Sequence, residues 1–129
     1  MFFLNCFFIF YRIIPRGVEY IFQQINYLKK YDWNYNVYVS FQEIYMDQIR
    51  DLLKDVPAVN GEVSCFQVES PNSLFPLLKL ANQNRKVAET FCNERSSRSH
   101  SIFQLKLHGK NLKSGQELNG TLNLIDLAG

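Results

Sequence analysis

Two apolar segments in the second half of the chain, separated by a short polar link, constrain the fold most strongly. "SIFQLKLH" (101–108) alternates Phe103, Leu105 and Leu107 with polar residues, which is the pattern of a strand with one buried face. "TLNLIDLAG" (121–129) is a second apolar strand pattern. The link between them supplies glycines for the connection at Gly109, Gly115 and Gly120. Because a parallel return needs a longer crossover, we predict an antiparallel hairpin.

Helix and strand patterns also follow one another upstream of this hairpin. Apolar residues recur at three- and four-residue steps from Val18 to Leu28, which predicts a helix beginning after Pro15 and Gly17. The alternation around Val39 (37–42) predicts a strand.

The segment after that strand is harder to interpret. "EIYMDQIRDLL" (43–53) predicts a short helical turn, 54–64 a connector, and "SCFQVES" (64–70) a short strand. A second helix is expected to begin near Ser73, because Pro76 then falls in the first turn, where backbone N–H groups lack helical partners anyway.

Composition is typical of one small globular domain and indicates little about partners. The chain has 129 residues, 47% of them hydrophobic and 20% charged. Its 14 basic and 12 acidic residues are scattered, so no basic stripe favours nucleic acid. Three distant cysteines, Cys6, Cys65 and Cys92, fit neither a disulfide framework nor a CxxC metal site, and we expect reduced thiols.

The start of the chain is unusually apolar. "MFFLNCFFIFYRII" is too short to span a bilayer and lacks the positive flank and cleavage site of a secretory signal. We expect residues 1–12 to be an atypical start, with a signal peptide or a buried strand as the alternatives, and we expect no membrane association.

The loop "NERSSRSH" (93–100) is dense in polar groups suited to a phosphate and metal site. Ser96 and Ser97 offer hydroxyl oxygens to Mg²⁺ or a water, Asn93 can donate to phosphate oxygens, and Arg98 can form a bidentate pair with a carboxylate. A solvated turn or a phosphorylation site would explain such a loop when it occurs alone.

The last strand pattern ends in a D-x-x-G motif. Asp126 follows the apolar run, in the position where nucleotide hydrolases hold Mg²⁺, usually through water. Gly129 would let a backbone N–H approach a phosphate. Alone, the motif is equally typical of a buried strand turning at a solvated Asp and Gly.

The two motifs in this order resemble the switch I and switch II segments of kinesin motor domains. The similarity extends back through "LLKLANQNRKVAET", "VYVSFQEIYMDQIRDLL" and "IIPRGVEYIF", so a partial kinesin motor domain is expected over 13–129. "FQLKLHGKN" and "GTLNLIDLAG" are most similar to the carboxy-terminal motor kinesins, a group usually directed to microtubule minus ends. The resemblance implies an α/β fold, a partial three-layer αβα sandwich of the kinesin/P-loop NTPase type with central strands, two helices and the switch hairpin.

The resemblance also implies a function. The complete protein would bind and hydrolyse ATP with Mg²⁺ to move along microtubules, in the cytoplasm and on the cytoskeleton. A coiled coil outside these residues could make it a dimer.

Roles for six residues are implied by the same resemblance. Asn93 and Ser96 would lie near the phosphates and the attacking water, and Ser97 would ligate Mg²⁺. Arg98 would pair with a glutamate that follows switch II in the family. Asp126 would hold the Mg²⁺ water shell, and Gly129 would sense the γ-phosphate through its N–H.

One expected feature does not occur in the sequence. No G-x-x-x-x-G-K-[ST] phosphate loop is present, so we expect these residues alone to hydrolyse no ATP. A non-catalytic fragment or gene remnant is therefore an alternative. A different phosphate-switch protein, such as a small GTPase, is a remote third possibility, since the sequence has no N-K-x-D motif.

Overall fold

The computed structural model of the protein describes residues 6–90 and 98–128. Its strands form one antiparallel sheet in the order β3-β2-β1-β5-β6, with β4 also pairing with β1. In chain order the elements are α1 (Cys6–Leu28), a 3₁₀ turn (Lys29–Tyr31), β1 (Trp33–Tyr45), β2 (Gln48–Asp51), β3 (Val56–Pro57), β4 (Phe66–Val68), α2 (Pro71–Thr90), β5 (His100–Asn111) and β6 (Glu117–Asp126). The predicted α/β class is confirmed.

The predicted antiparallel hairpin is confirmed as β5 and β6, which pair from Ser101↔Asp126 to Lys110↔Glu117. Of the three glycines assigned to the link, only Gly115 lies in the turn, with φ of 72°. Gly109 lies inside β5. A glycine is needed at this position because an added Cβ would overlap the Tyr35 ring of the neighbouring strand.

Both helices pack on the same face of the sheet and share one core with it. On β1 this face is formed by the alternate residues Val37, Val39 and Phe41, which are almost fully buried. The other buried members of the core are Ile14, Val18 and Ile25 from α1, Leu74, Leu78 and Ala81 from α2, Phe103 and Leu105 from β5, Leu52, Leu53 and Val68. Burying each large side chain contributes about 1.5–3 kcal/mol, so this shared core holds α2 firmly against the sheet.

The first helix begins earlier than the sequence predicted. It starts at Cys6 and runs through Pro15 and Gly17, so the alternative of a buried strand is wrong for residues 6–12. Ile14 and Val18 are one helical turn apart and both completely buried, so core packing continues across Pro15, which forfeits one backbone hydrogen bond. Neither helix in the described ranges is long and apolar enough to cross a membrane.

The helical turn predicted within 43–53 is wrong, because this segment forms the end of β1 and then β2. Met46 and Asp47 form a two-residue turn with φ of 49° and 61°, the left-handed conformation that tight hairpins require. Ile44 and Ile49 pair across the two strands. The apolar residues that suggested a helical turn are thus partly explained by this cross-strand pair.

The second helix also starts before the predicted position. Pro71 is its first residue, where a proline costs nothing, and Pro76 lies inside the helix. The Ser73 hydroxyl accepts hydrogen bonds from the N–H groups of Glu69 and Ser70 and donates one to the Ser70 carbonyl. Ser73 therefore stabilises the start of the helix from within its first turn. The short strand predicted within 64–70 is confirmed as β4.

Candidate functional site

The antiparallel register of β5 and β6 brings the two sequence motifs together. The first motif ends at His100, which is the first residue of β5, and Asp126 is the last residue of β6. Ser101 pairs directly with Asp126, so the end of the first motif lies beside the carboxylate of the second. The hairpin itself thus positions the candidate site at one edge of the sheet.

The structure describes two of the six predicted site residues. Arg98 is exposed just before β5, and Asp126 is buried with 8% of its surface accessible. The other four, Asn93, Ser96, Ser97 and Gly129, lie outside the described residues.

Asp126 contacts a buried cation that the sequence did not single out. Its Oδ2 lies 3.6 Å from Nη1 of Arg85 on α2, and Nε of Arg85 lies 3.8 Å from Oε2 of Glu43 on β1. The three side chains are 6%, 4% and 0% exposed. A charge this deeply buried is tolerated only when it is paired, so Arg85 stabilises both carboxylates.

The sequence did contain a signal for these two partners. Arg85 continues the core-facing spacing of Leu78 and Ala81 on α2, and Glu43 continues the alternation of Phe41 on β1. A charged residue in register with a buried apolar face is expected to be buried and paired. Periodicity could therefore have indicated their burial, although we did not use it for these residues and it could not identify Asp126 as the shared partner.

A second contact joins the two motifs through backbone. The N–H of Ala128 donates a hydrogen bond to Nδ1 of His100, at 3.0 Å. His100 is the last residue of the first motif, and Ala128 follows Asp126 by two residues. The site is thus linked both by the strand ladder and by this imidazole.

Two serine hydroxyls extend the polar region towards the loop. Ser99 and Ser101 are 1% and 2% exposed, and their hydroxyl oxygens have no hydrogen-bond partner among the described atoms. Buried hydroxyls retain a donor and acceptor capacity that favours polar neighbours.

The donor set at this edge fits Mg²⁺, the metal that the family resemblance implies. Carboxylate oxygen is a ligand type that Mg²⁺ prefers, and Asp126 engages Arg85 through only one of its two oxygens. In the described ranges no three His, Cys, Asp or Glu residues form a metal cluster, and a Mg²⁺ held largely through water does not need one.

A solvent-open cleft lies elsewhere on the protein. It has a volume of about 480 Å³ and is open to solvent between α1, the start of β1 and β4, with Glu19, Asn34 and Ser70 among its lining residues. Asp126 and Arg85 lie at the opposite end of β1, so this cleft is separate from the candidate site.

Comparison with known proteins identifies the family. The family model described as "Kinesin motor domain" matches residues 12–129. Kinesin-related protein 2 of Dictyostelium discoideum is 43% identical over 91% of this chain and 18% of its own length. Carboxy-terminal kinesin 2 of Xenopus laevis is 40% identical over 91% of this chain and 21% of its own length.

A solved structure agrees with these relatives. The motor domain of the kinesin-like protein KAR3 from Saccharomyces cerevisiae superposes with a TM-score of 0.75 at 42% identity, covering 91% of this chain and 40% of that one. The chain spans about a fifth of the length of the curated relatives it matches. The predicted resemblance, including that to carboxy-terminal kinesins, is confirmed, and the chain belongs to the kinesin motor domain family.

Proposed function

We propose that this chain contributes the phosphate-sensing switch region of an ATP-driven microtubule motor. The observation that carries the proposal is the pairing of Ser101 with Asp126, which brings the end of the first motif, at His100, close to a carboxylate paired with Arg85. Phosphate-dependent switching needs two such segments near one nucleotide, so that both respond to the same γ-phosphate.

Asp126 and Arg85 act together in this proposal. The Asp126 carboxylate would accept hydrogen bonds from waters around Mg²⁺, and the Arg85 guanidinium restrains the carboxylate through its contact with Oδ2. When bound with ATP, Mg²⁺ neutralises charge on the β- and γ-phosphates. The contacts of Arg85 with Glu43 and Asp126 therefore fix the position of the Asp126 carboxylate before the nucleotide binds.

The remaining site residues act from the two loops. We assign Ser97 as a Mg²⁺ ligand, Asn93 and Ser96 to the phosphates and the attacking water, and Gly129 to the γ-phosphate through its N–H. Arg98 pairs with the glutamate that follows the second switch segment in the family. Arg98 is exposed just before β5.

The partner of the complete protein is the microtubule, which places it on the cytoskeleton in the cytoplasm. Dimerisation through a coiled coil outside these residues belongs to the same proposal. Co-sedimentation of the longest natural product that carries residues 1–129 with taxol-stabilised microtubules tests the partner directly, and a product that stays in the supernatant contradicts it.

ATP turnover by that longest product tests the catalytic part. We expect ATP hydrolysis that microtubules stimulate. Asp126→Asn should lower kcat by roughly a hundredfold or more, because the neutral amide would hold the waters around Mg²⁺ less strongly than the carboxylate does. Asp47→Asn is the matched control, since Asp47 is an exposed turn residue at which Asn is equally compatible with the backbone. Equal turnover by the two variants contradicts the assignment of Asp126.

A further inference from the structure

His100 makes a contact that the proposed roles do not use. Its Nδ1 accepts the hydrogen bond from the Ala128 N–H at 3.0 Å, in a partly buried setting. The last strand pair at this end of the hairpin is Ser101↔Asp126, so this hydrogen bond lies one step beyond the ladder. The imidazole therefore continues the connection between the two motifs after the sheet ends.

We infer that His100 is a positioning residue that fixes the backbone after Asp126 relative to the loop before β5, so that the two switch segments move as one unit. The inference rests on the proposed function, in which both segments act on the same phosphates. The inference assigns the coupling of the two switch segments to the His100 side chain, in addition to the proposed pairing of Arg98.

The need for such an anchor follows from the surroundings of Ala128. The preceding side chain, Leu127, is 67% exposed and gives the segment little packing. Outside the ladder the Ala128 N–H requires its own acceptor, and the imidazole supplies one. Nδ1 can accept only in the neutral tautomer that carries its proton on Nε2.

Position matters here because the segment leads directly into Gly129, the residue assigned to the γ-phosphate. A backbone N–H stabilises developing charge only when its position is fixed before the reaction. Displacement of a positioned group by about 1 Å can cost up to roughly a hundredfold in rate. Loss of the anchor should therefore affect turnover more than ATP affinity, which depends on many other contacts.

Amide exchange in the longest natural product that carries residues 1–129 tests the anchor itself. In His100→Ala we expect the Ala128 N–H to exchange about 2- to 10-fold faster, in proportion to one lost hydrogen bond. His100→Asn should restore slow exchange, because the side-chain Oδ1 of asparagine can accept the bond in place of Nδ1. The matched control is His108→Asn, on the same strand but exposed and bonded to Asn119.

Wild-type exchange at Ala128 in the His100→Ala variant overturns the anchor. So does an equal acceleration in the His108→Asn variant, because that would indicate a general loosening of β5.

Steady-state ATP turnover by the longest natural product tests the coupling. We expect His100→Ala to lower kcat about tenfold with little change in the KM for ATP, and His100→Asn to recover most of the loss. A merely structural role would not be rescued by one acceptor atom. Unchanged kcat in His100→Ala, beside an active wild-type protein, overturns the inference and leaves the proposed function intact. An inactive wild-type protein overturns the proposed function, and the exchange measurement then decides on the anchor alone.

Discussion

Two buried carboxylates at strand ends, Asp51 and Asp126, are stabilised in different ways. Asp51 ends β2 and is 3% exposed, and Asp126 ends β6 and is 8% exposed. Asp51 accepts hydrogen bonds from the N–H groups of Leu53, Lys54 and Ser64 and from the Ser64 hydroxyl, at 2.5–3.3 Å. Asp126 is instead paired with Arg85, a residue of the second helix.

The difference separates a structural carboxylate from one suited to chemistry. Asp51 has both oxygens occupied by donors from its own segment, so it organises the connector and has little capacity left for a ligand. Asp126 contacts one distant cation through one oxygen, at a separation longer than a hydrogen bond. Its charge is compensated, and among the described residues this single contact leaves lone pairs available to waters or a metal.

Removing the cation should produce the largest effect on stability. Arg85→Met keeps much of the side-chain volume but removes the guanidinium that contacts the buried carboxylates of Glu43 and Asp126. We expect the free energy of unfolding to fall by about 3–5 kcal/mol, measured by urea denaturation. Lys86→Met, on the exposed side of the same helix, should change it by less than about 0.5 kcal/mol.

The comparison can be sharpened with the variant Glu43→Gln combined with Arg85→Met. Because it removes one of the two carboxylate charges that lose their contact with Arg85, it should be more stable than Arg85→Met alone. If the double variant is the less stable of the two, charge repulsion is not the source of the loss.

Asp51→Ala should have the next largest effect, about 2–3 kcal/mol, since it leaves the buried N–H of Leu53 and the partly buried N–H of Ser64 without their acceptor. Stability should also depend on pH through this residue. Burial raises the pKa of Asp51, but the hydrogen bonds from Ser64, Leu53 and Lys54 outweigh it, so the pKa lies below its usual value.

A lowered pKa in the folded state fixes the sign of this dependence. The contribution of Asp51 is fully present above the ordinary aspartate pKa and is lost as the pH falls through that value towards the lower folded one. The difference in unfolding free energy between wild type and Asp51→Asn should therefore shrink from about pH 7 to about pH 3. A constant difference contradicts the role of the ionised carboxylate.

The sequence predicted long-range order best where a single pattern determined it. The hairpin followed from alternation and a short link, and the two motifs met at Asp126 because that hairpin is antiparallel. The partner Arg85 could not be predicted, because the contact depends on how α2 crosses the sheet, which no local pattern encodes. The strand β2 was missed because its turn uses Met46 and Asp47 in place of the usual Asn-Gly signal.

Substitutions in that turn should have the smallest effect on the free energy of unfolding, in contrast to the large effect expected at Arg85. Met46 has φ of 49°, a conformation that costs an ordinary residue energy, and its side chain is 76% exposed, so little packing is lost on replacement. Met46→Asn should raise the free energy of unfolding by about 0.5–1 kcal/mol, because asparagine tolerates the left-handed region. Met46→Ala removes the same exposed side chain but keeps the backbone cost, so it should give no such gain. Equal gains from both variants would mean that the exposed apolar surface of Met46, and not the backbone of the turn, limits stability here. A gain confined to asparagine would show that the stability of this turn depends on the backbone preference of one residue, whereas that of Asp126 depends on Arg85, a residue of another element.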